Sequence, residues 1–274
     1  MKTWFITGAS AGLGRIMAET LLTRGDRVVG TARRTGALDD LAAAYPSTFT
    51  VVPLDVTDSA AVRRTVDTAF AAGRIDVLVN NAGYGLFGAA EEASDADIER
   101  QVATNLVGAM AVIRAALPHL RAQGGGRIMQ VSSEGGQFAY PGFSSYHATK
   151  WGIEGYCESL AQEVVPFGID VVVVQPGPTA TSFGANLTMP KPMPAYDTTP
   201  VGDVRRAMTS GAFVLTGDAE RTVDAMIEAG DAANPAFRLT LTSTAFTNIS
   251  GALRDRLAAL EAQETVARGA DRDA

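Results

Sequence analysis

The chain has 274 residues, 46% hydrophobic and 19% charged, with 28 Gly, 12 Pro and one Cys, which is enough ordinary globular chain for a full core. Its 30 acidic against 23 basic residues give a formal net charge of −7, and no basic run exceeds Arg33-Arg34, so nucleic-acid binding is not expected. The lone Cys157 forms no intrachain disulfide, and with only two His it supplies no zinc or iron ligand set; a reducing, cytoplasmic setting without a metal is the expectation.

The start of the chain, residues 1–7, is apolar for too few residues to be a signal-peptide core. No run approaches 18 apolar residues, so no membrane span is expected. Strands are predicted at 4–7, 27–31, 49–54, 77–80, 127–131, 170–175 and 238–242, with helices at 13–24, 38–45, 59–72, 95–121, 144–165 and 219–229. Val171 to Val174 are apolar at every position, as in a parallel sheet covered by helices on both faces. The pattern predicts a single-domain doubly wound Rossmann fold spanning 1–274, with a seven-stranded parallel sheet. Ser59 and Ser94 are candidate helix caps, Gly73 a helix end, and Pro166 with Gly168 a stop before the sixth strand. Periodicity dissolves over 179–215, a mobile lid or a surface excursion, and the polar tail 264–274 is expected to fray.

Directly after the first strand comes Thr7-Gly8-Ala9-Ser10-Ala11-Gly12-Leu13-Gly14, opening into a helix. In such a turn Gly8 permits the reversal, Gly12 lets backbone approach a diphosphate, and Gly14 allows close helix–sheet packing, while the helix N-terminus offers free N–H groups to an anion. The second strand ends at Ala32-Arg33-Arg34, where a carboxylate would serve the adenosine ribose of NAD. Guanidinium groups bind a 2′-phosphate instead, so the cofactor expected is NADP(H), with Arg33 the better candidate and Arg34 either a second contact or simply solvated. Asp55, before Val56, either accepts from an adenine amino group or caps the turn before Thr57.

Further along stand Asn80-Asn81-Ala82-Gly83, Ser132-Ser133, Tyr146-His147-Ala148-Thr149-Lys150 and Pro176-Gly177 with Thr181 downstream. With the glycine turn, these resemble the short-chain dehydrogenase/reductase family, marked by Thr-Gly-x-x-x-Gly-x-Gly, Asn-Asn-Ala-Gly, a Ser, Tyr-x-x-x-Lys and a late Pro-Gly, over roughly residues 2–260. The resemblance implies Tyr146 as general acid/base, Lys150 as its activator, Ser133 as carbonyl holder and Asn105 as support for a proton-relay water. It implies cofactor contacts from Gly8, Ser10, Gly12, Leu13, Gly14, Arg33, Arg34, Asp55 and Val56. Asn81, Ala82, Gly83, Tyr146, Lys150, Pro176, Gly177, Thr179 and Thr181 complete that set. It also favours the lid reading of 179–215 and a homodimer or homotetramer built on the two long helices, where Gly108, Ala109, Ala115, Gly152 and Gly155 permit close approach.

The chemistry supports these roles independently. Reducing a ketone needs a proton at oxygen, and a tyrosine at about 10 is a poor partner near neutral pH; moving it to about 7 takes about 4 kcal/mol. Tyr146 and Lys150, at i and i+4, share a helix face, so the ammonium, together with the positive nicotinamide of the oxidised cofactor, is expected to favour the phenolate. Ser133 would stabilise developing alkoxide charge, and Ser132, one residue earlier, should face the opposite side. Asn105 lies mid-helix, where Asn is unfavourable and can distort hydrogen bonding. His147 points about 100° away from Tyr146 and, like His119 and Cys157, is read as structural. Tyr84, Phe87, Phe143, Phe183 and Met189 are candidate pocket walls, with Glu134, Gln137, Phe138 and Tyr140 nearby. The expected activity is NADPH-dependent reduction of an apolar or aromatic ketone, or the reverse oxidation of a secondary alcohol. The alternative is an NADP-binding regulatory or scaffold protein with little turnover.

Overall fold

The computed structural model describes residues 1–272. Seven strands, β1 (Thr3–Thr7), β2 (Arg27–Ala32), β3 (Phe49–Pro53), β4 (Val77–Asn80), β5 (Gly126–Val131), β6 (Ile169–Pro176) and β7 (Arg238–Leu241), form one sheet in the order β3-β2-β1-β4-β5-β6-β7. Every neighbouring pair is parallel. Strand order reverses between β1 and β4, the crevice where doubly wound sheets receive ligands.

Adjacent residues of each central strand go to opposite faces. Ile6, Val79, Met129, Val172 and Val174 pack with Met17 and Leu21 of α1 (Gly12–Thr23), Leu41 of α2 (Asp39–Ala44) and Val223 and Met226 of α8 (Ala219–Asp231). Their neighbours Phe5, Leu78, Ile128, Val171 and Val173 pack with Val62 and Val66 of α3 (Ser59–Ala71), Val112 and Ile113 of α5 (Ala109–Ala122) and Ile153 and Leu160 of α6 (Ser144–Val164). This two-sided burial is the reason the strands read as continuous apolar runs.

Several boundaries differ from expectation for local physical reasons. Asp58, not Ser59, caps α3, its carboxylate accepting from Ala60 N at 3.0 Å and Ala61 N at 2.9 Å. Ser94 does cap α4 (Asp95–Val102), accepting from Asp97 N. The helix predicted at 95–121 is interrupted by a π turn, Ala103–Gly108, between α4 and α5. Polar and charged residues interrupt Asp95–Ala122 throughout, yet its length and mean composition are those of a helix able to cross a membrane; Val112, Ile113 and Leu120 of this helix pack in the core. Gly108 and Gly152 serve contacts inside the chain, facing Val56 and Leu106 respectively. Three helices lie outside the predicted set: α7 (Pro200–Ser210), within 179–215, α9 (Ser243–Glu261) and one in the tail. The tail carries a short exposed helix, α10 (Glu264–Arg268), and its last two positions, 273 and 274, lie outside the described residues.

Candidate active site

The turn after β1 is shaped by glycines with little room for anything else. Gly8 has φ +68°, and a Cβ there would stand 2.9 Å from Ala82 Cα; at Gly14 one would stand 2.5 Å from both Asn81 Nδ2 and Gly8 O. Gly12, at φ +55°, instead faces open space bounded by Thr181, whose Cβ lies 3.8 Å from where a side chain would begin. The N-terminus of α1 carries no side-chain cap and no acid in its first turn, leaving its N–H groups to an outside acceptor. Asn81 works on the turn itself, donating from Nδ2 to Thr7 O at 3.0 Å and Gly8 O at 3.1 Å, while Thr7 Oγ1 accepts from Asn81 N and Ala82 N. Ser10, Leu13 and Ala82 lie around this turn half-buried, and Gly83 is exposed.

Arg33 and Arg34 stand exposed beyond β2. Asp55 takes the turn alternative: its Oδ1 accepts from Thr57 N at 2.9 Å and Thr57 Oγ1 at 2.7 Å, and Val56 is buried behind it. Across the crevice, Gly177 N donates to Leu241 O, Thr179 Oγ1 donates to Gly177 O, and Thr181 Oγ1 accepts from Phe183 N. The Gly12 hollow, the free helix end and the exposed guanidiniums have the form to hold a dinucleotide with its diphosphate at the turn.

At the ends of β5 and α6 the structure brings Ser133, Tyr146 and Lys150 together. Ser133 Oγ accepts from Gly135 N and reaches the Tyr146 hydroxyl, whereas Ser132 faces away and donates to Glu154 Oε1 at 2.7 Å. Tyr146 is buried among Phe143, Phe183 and His147, with ring centroids about 6 Å away. Lys150 Nζ lies 5.6 Å from the centre of the Tyr146 ring and donates to Val131 O at 3.0 Å.

The expected depression of the phenol does not hold for the protein alone. Burial pushes the Tyr146 hydroxyl up to about 12, against the opposing hydrogen bond from Ser133, and burial lowers Lys150 to about 8 despite the Glu154 carboxylate. Both groups are desolvated together, so the protein alone does not favour the phenolate.

Asn105 sits inside the π turn. Its Oδ1 accepts from Tyr84 N at 3.1 Å and its Nδ2 donates to Tyr84 O at 2.8 Å, so the helical distortion turns this side chain onto the loop after β4. His147 Nδ1 lies 2.9 Å from Gly135 O while Nε2 accepts from Tyr140 N at 2.8 Å, a pattern that fits neutral imidazole; burial also lowers its affinity for a proton. His119 pairs with Asp67 on the surface, and the Cys157 thiol, pushed up to about 12 by burial, is an inert core group.

Sequence reasoning missed two carboxylates, Glu154 and Glu92, and placed a third, Glu134, near the pocket without its partners. Glu154, one turn after Lys150, accepts from Ser132, Gln137 and Gln175 in the interior. Glu92 accepts from Ala89 N, Met193 N and Arg205 of α7, and so ties the 179–215 segment to the loop after β4. Two backbone bonds reinforce the tie, Phe87 N to Thr188 O and Thr188 N to Gly85 O, each 2.9 Å. Glu134 bonds to Tyr140 and to Asn248 of α9. A lone acid in a helix or loop ordinarily reads as solvated, and only partners distant in the chain reveal otherwise.

A doubly wound sheet with a glycine turn at its switch point and a Ser, Tyr and Lys gathered at the facing strand end defines a nucleotide-dependent oxidoreductase architecture. The short chain dehydrogenase family model matches residues 2–191, and the chain belongs to the short-chain dehydrogenase/reductase family. It is 42% identical over 201 residues to the oxidoreductase BOA17 of Botryotinia fuckeliana, covering 72% of this chain and 73% of that one. It is 40% identical over 182 residues to the 3-ketodihydrosphingosine reductase of Bacteroides thetaiotaomicron, covering 66% and 65%. Among solved structures, a short-chain dehydrogenase from Streptomyces avermitilis superposes with TM-score 0.91 at 40% identity, covering 99% of both chains. One from Burkholderia cenocepacia, in complex with NADP, superposes with TM-score 0.75 at 26% identity over 96% and 98%.

Proposed function

We propose that this protein is an NADPH-dependent carbonyl reductase, reversible as an alcohol dehydrogenase, acting on an uncharged apolar or aromatic ketone. The observation that carries the reading is Tyr146, buried under Phe143 and Phe183, in reach of Ser133 and beside Lys150. Arg33 and Arg34 in the place of a ribose-binding carboxylate favour NADP(H) over NAD(H), in line with the NADP complex of the Burkholderia cenocepacia relative. The aromatic walls favour an apolar substrate, and a ketone is what the name of the Bacteroides thetaiotaomicron relative specifies.

When bound, the nicotinamide supplies or accepts the hydride. The chain's own part is to polarise and protonate. Ser133 Oγ donates to the carbonyl oxygen, the Tyr146 hydroxyl delivers its proton to that oxygen as negative charge develops, and the Lys150 ammonium holds the local field positive. Phe143 and Phe183 keep water from the reacting atoms. Asn105 acts on the site through the Tyr84 backbone. Exposed Val107 and Trp151, in the π turn and on α6, favour assembly as a homodimer or homotetramer through the long helices.

Cofactor absorbance followed with NADPH and then NADH against aryl ketones, α-ketoesters, diketones and cyclic ketones tests the assignment, with Tyr146→Phe alongside. NADPH-selective turnover that disappears in Tyr146→Phe is expected. Equal turnover by Tyr146→Phe, or NADPH binding with no turnover in either direction, overturns it.

A further inference from the structure

Arg15 follows Gly14 directly and closes the first turn of α1. A cation there works against the helix dipole, so helix formation alone does not account for an arginine at this position. Nor is its guanidinium left for a ligand. Nε donates to Glu19 Oε1 at 2.6 Å one turn on, Nη1 donates to the Ala37 carbonyl at 2.9 Å and to Asp40 Oδ1 at 3.1 Å, and Nη2 donates to Asp40 Oδ2. The side chain is only 20% exposed. Arg15 thus crosses from the helix that follows the glycine turn to the chain that follows β2, and grips that chain by a backbone carbonyl as well as a carboxylate. The gripped stretch is short and carries Arg33 and Arg34. At its start Ala32 is buried at the end of β2, its carbonyl accepting from Leu54 N at 3.0 Å. At its end a single 3₁₀ turn, Thr35–Leu38, leads into α2, with Leu38 buried in the core. The two exposed arginines therefore sit on a bridge between a fixed strand end and a carbonyl, that of Ala37, fixed to α1.

We propose that Arg15 is a positioning residue for cofactor selection: by holding Ala37 and Asp40 to α1, it sets the spacing between the glycine turn, which would hold the diphosphate, and the Arg33–Arg34 pair, which would hold the 2′-phosphate. The inference rests on the NADP(H) reading given above. Both phosphate groups belong to one molecule, so the ligand dictates how far apart their two sites must stand. A second site already fixed at that separation loses less conformational entropy when the ligand arrives. NADH has no 2′-phosphate and gains nothing from the spacing, which makes the contribution of Arg15 selective. The contact between Arg15 and Asp40 is a half-exposed ion pair, which by itself adds little to the stability of a fold.

Asp40 supplies a test of sign. Acting only through space, its negative charge would repel a 2′-phosphate, and removing it would tighten NADPH binding. Acting as the far end of the grip, its removal loosens Arg15 and weakens NADPH binding. The experiment is a fluorescence titration with NADPH and with NADH of the whole enzyme and its Arg15→Met, Arg15→Lys, Asp40→Ala and Arg33→Asp variants. Melting temperature and kcat at saturating NADPH are measured alongside, which separates selection of the cofactor from damage to the fold or to the chemical step.

In Arg15→Met the dissociation constant for NADPH is expected to rise about three- to fivefold, with that for NADH and kcat at saturating NADPH unchanged. Arg15→Lys restores only part of the affinity, because a compact ammonium does not present the fork that meets a carboxylate and a carbonyl together. Asp40→Ala is expected to weaken NADPH about twofold, since the Ala37 contact survives. Equal weakening of NADPH and NADH in Arg15→Met, the result of a merely structural role, overturns the inference, as does tighter NADPH binding in Asp40→Ala. A preference for NADPH lost in Arg33→Asp but intact in Arg15→Met overturns this inference alone. A preference unchanged in Arg33→Asp overturns the cofactor reading beneath it, and this inference with it.

Discussion

On the β1–β2 side of the sheet's carboxyl edge the surface is made of backbone: Gly8, Gly12 and Gly14, the bare N-terminus of α1, and Asn81 spent on holding two carbonyls. On the β5–β6 side it is made of side chains delivered from separate parts of the chain, Tyr146 and Lys150 from α6, Phe183 and Arg205 from the 179–215 segment, Asn248 from α9. A diphosphate is the same in every nucleotide and can be met by fixed N–H groups, which only short, contiguous chain can present. A substrate wall must be specific in shape, and packing together distant segments provides that. Damage on the backbone side should therefore act on folding and nucleotide affinity, and damage on the side-chain side on turnover and substrate affinity.

The largest separation is expected from Tyr146→Phe, with kcat reduced on the order of 10²–10⁴-fold while the dissociation constant for NADPH, measured by fluorescence titration, stays within about threefold. Next, Glu92→Gln leaves the Arg205 guanidinium, 14% exposed, with only the longer contact to Asp197 at 3.7 Å and should destabilise by about 2 kcal/mol in chemical denaturation and raise KM with little change in nucleotide affinity. The same tie responds to acid. Burial works to raise the Glu92 carboxyl, but the amides of Met193 and Ala89 and the Arg205 guanidinium together hold it below its usual 4.5, so the tie is complete above that value and is lost as pH falls through the lowered one.

Gly14→Ala probes the other side. Its methyl would press on Gly8 O and Asn81, with an expected loss of about 1–3 kcal/mol in thermal unfolding and weakened nucleotide binding at unchanged KM for substrate. Arg33→Asp should have the smallest effect on the enzyme as a whole, shifting the NADPH-to-NADH preference in kcat/KM by about tenfold with stability unaltered. A variant of the glycine turn that raises substrate KM alone, or of Glu92 that weakens NADPH alone, would break the division between the two sides.

The strands were legible because two-sided burial leaves a plain mark, as in Val171 to Val174, but that mark does not carry their order in the sheet. The proposed site residues were legible where the chain is contiguous, in the glycine turn and in Tyr146 with Lys150 on one helix face. Helix α9 was not, since only Ala245 and Ile249 of it are buried and Thr, Asn, Ser and Gly interrupt its pattern. Helix α7 was hidden by Pro200 in a Pro-rich stretch, although proline at the first helical position is favourable. Spacing reports that an ammonium stands near Tyr146 but not that the phenol is wholly desolvated, which in the protein alone raises it. Asn105 gave a true warning of distortion, though its partner Tyr84, 21 residues away, could not be read from composition.

The π turn at Ala103–Gly108 means that this helix holds a spare residue. Each residue of an α-helix turns the chain by about 100°, so deleting one position within the turn would restore ordinary winding while rotating α4 by about that angle against α5. The helix itself would survive the deletion, but Gln101 and Asn105, which now share the Tyr84 carbonyl, would lose their common target. A one-residue change in length is thus a natural route by which a lineage could retire the site and keep the fold, and the tally of residues between Ser94 and Gly108 tells which state a descendant is in.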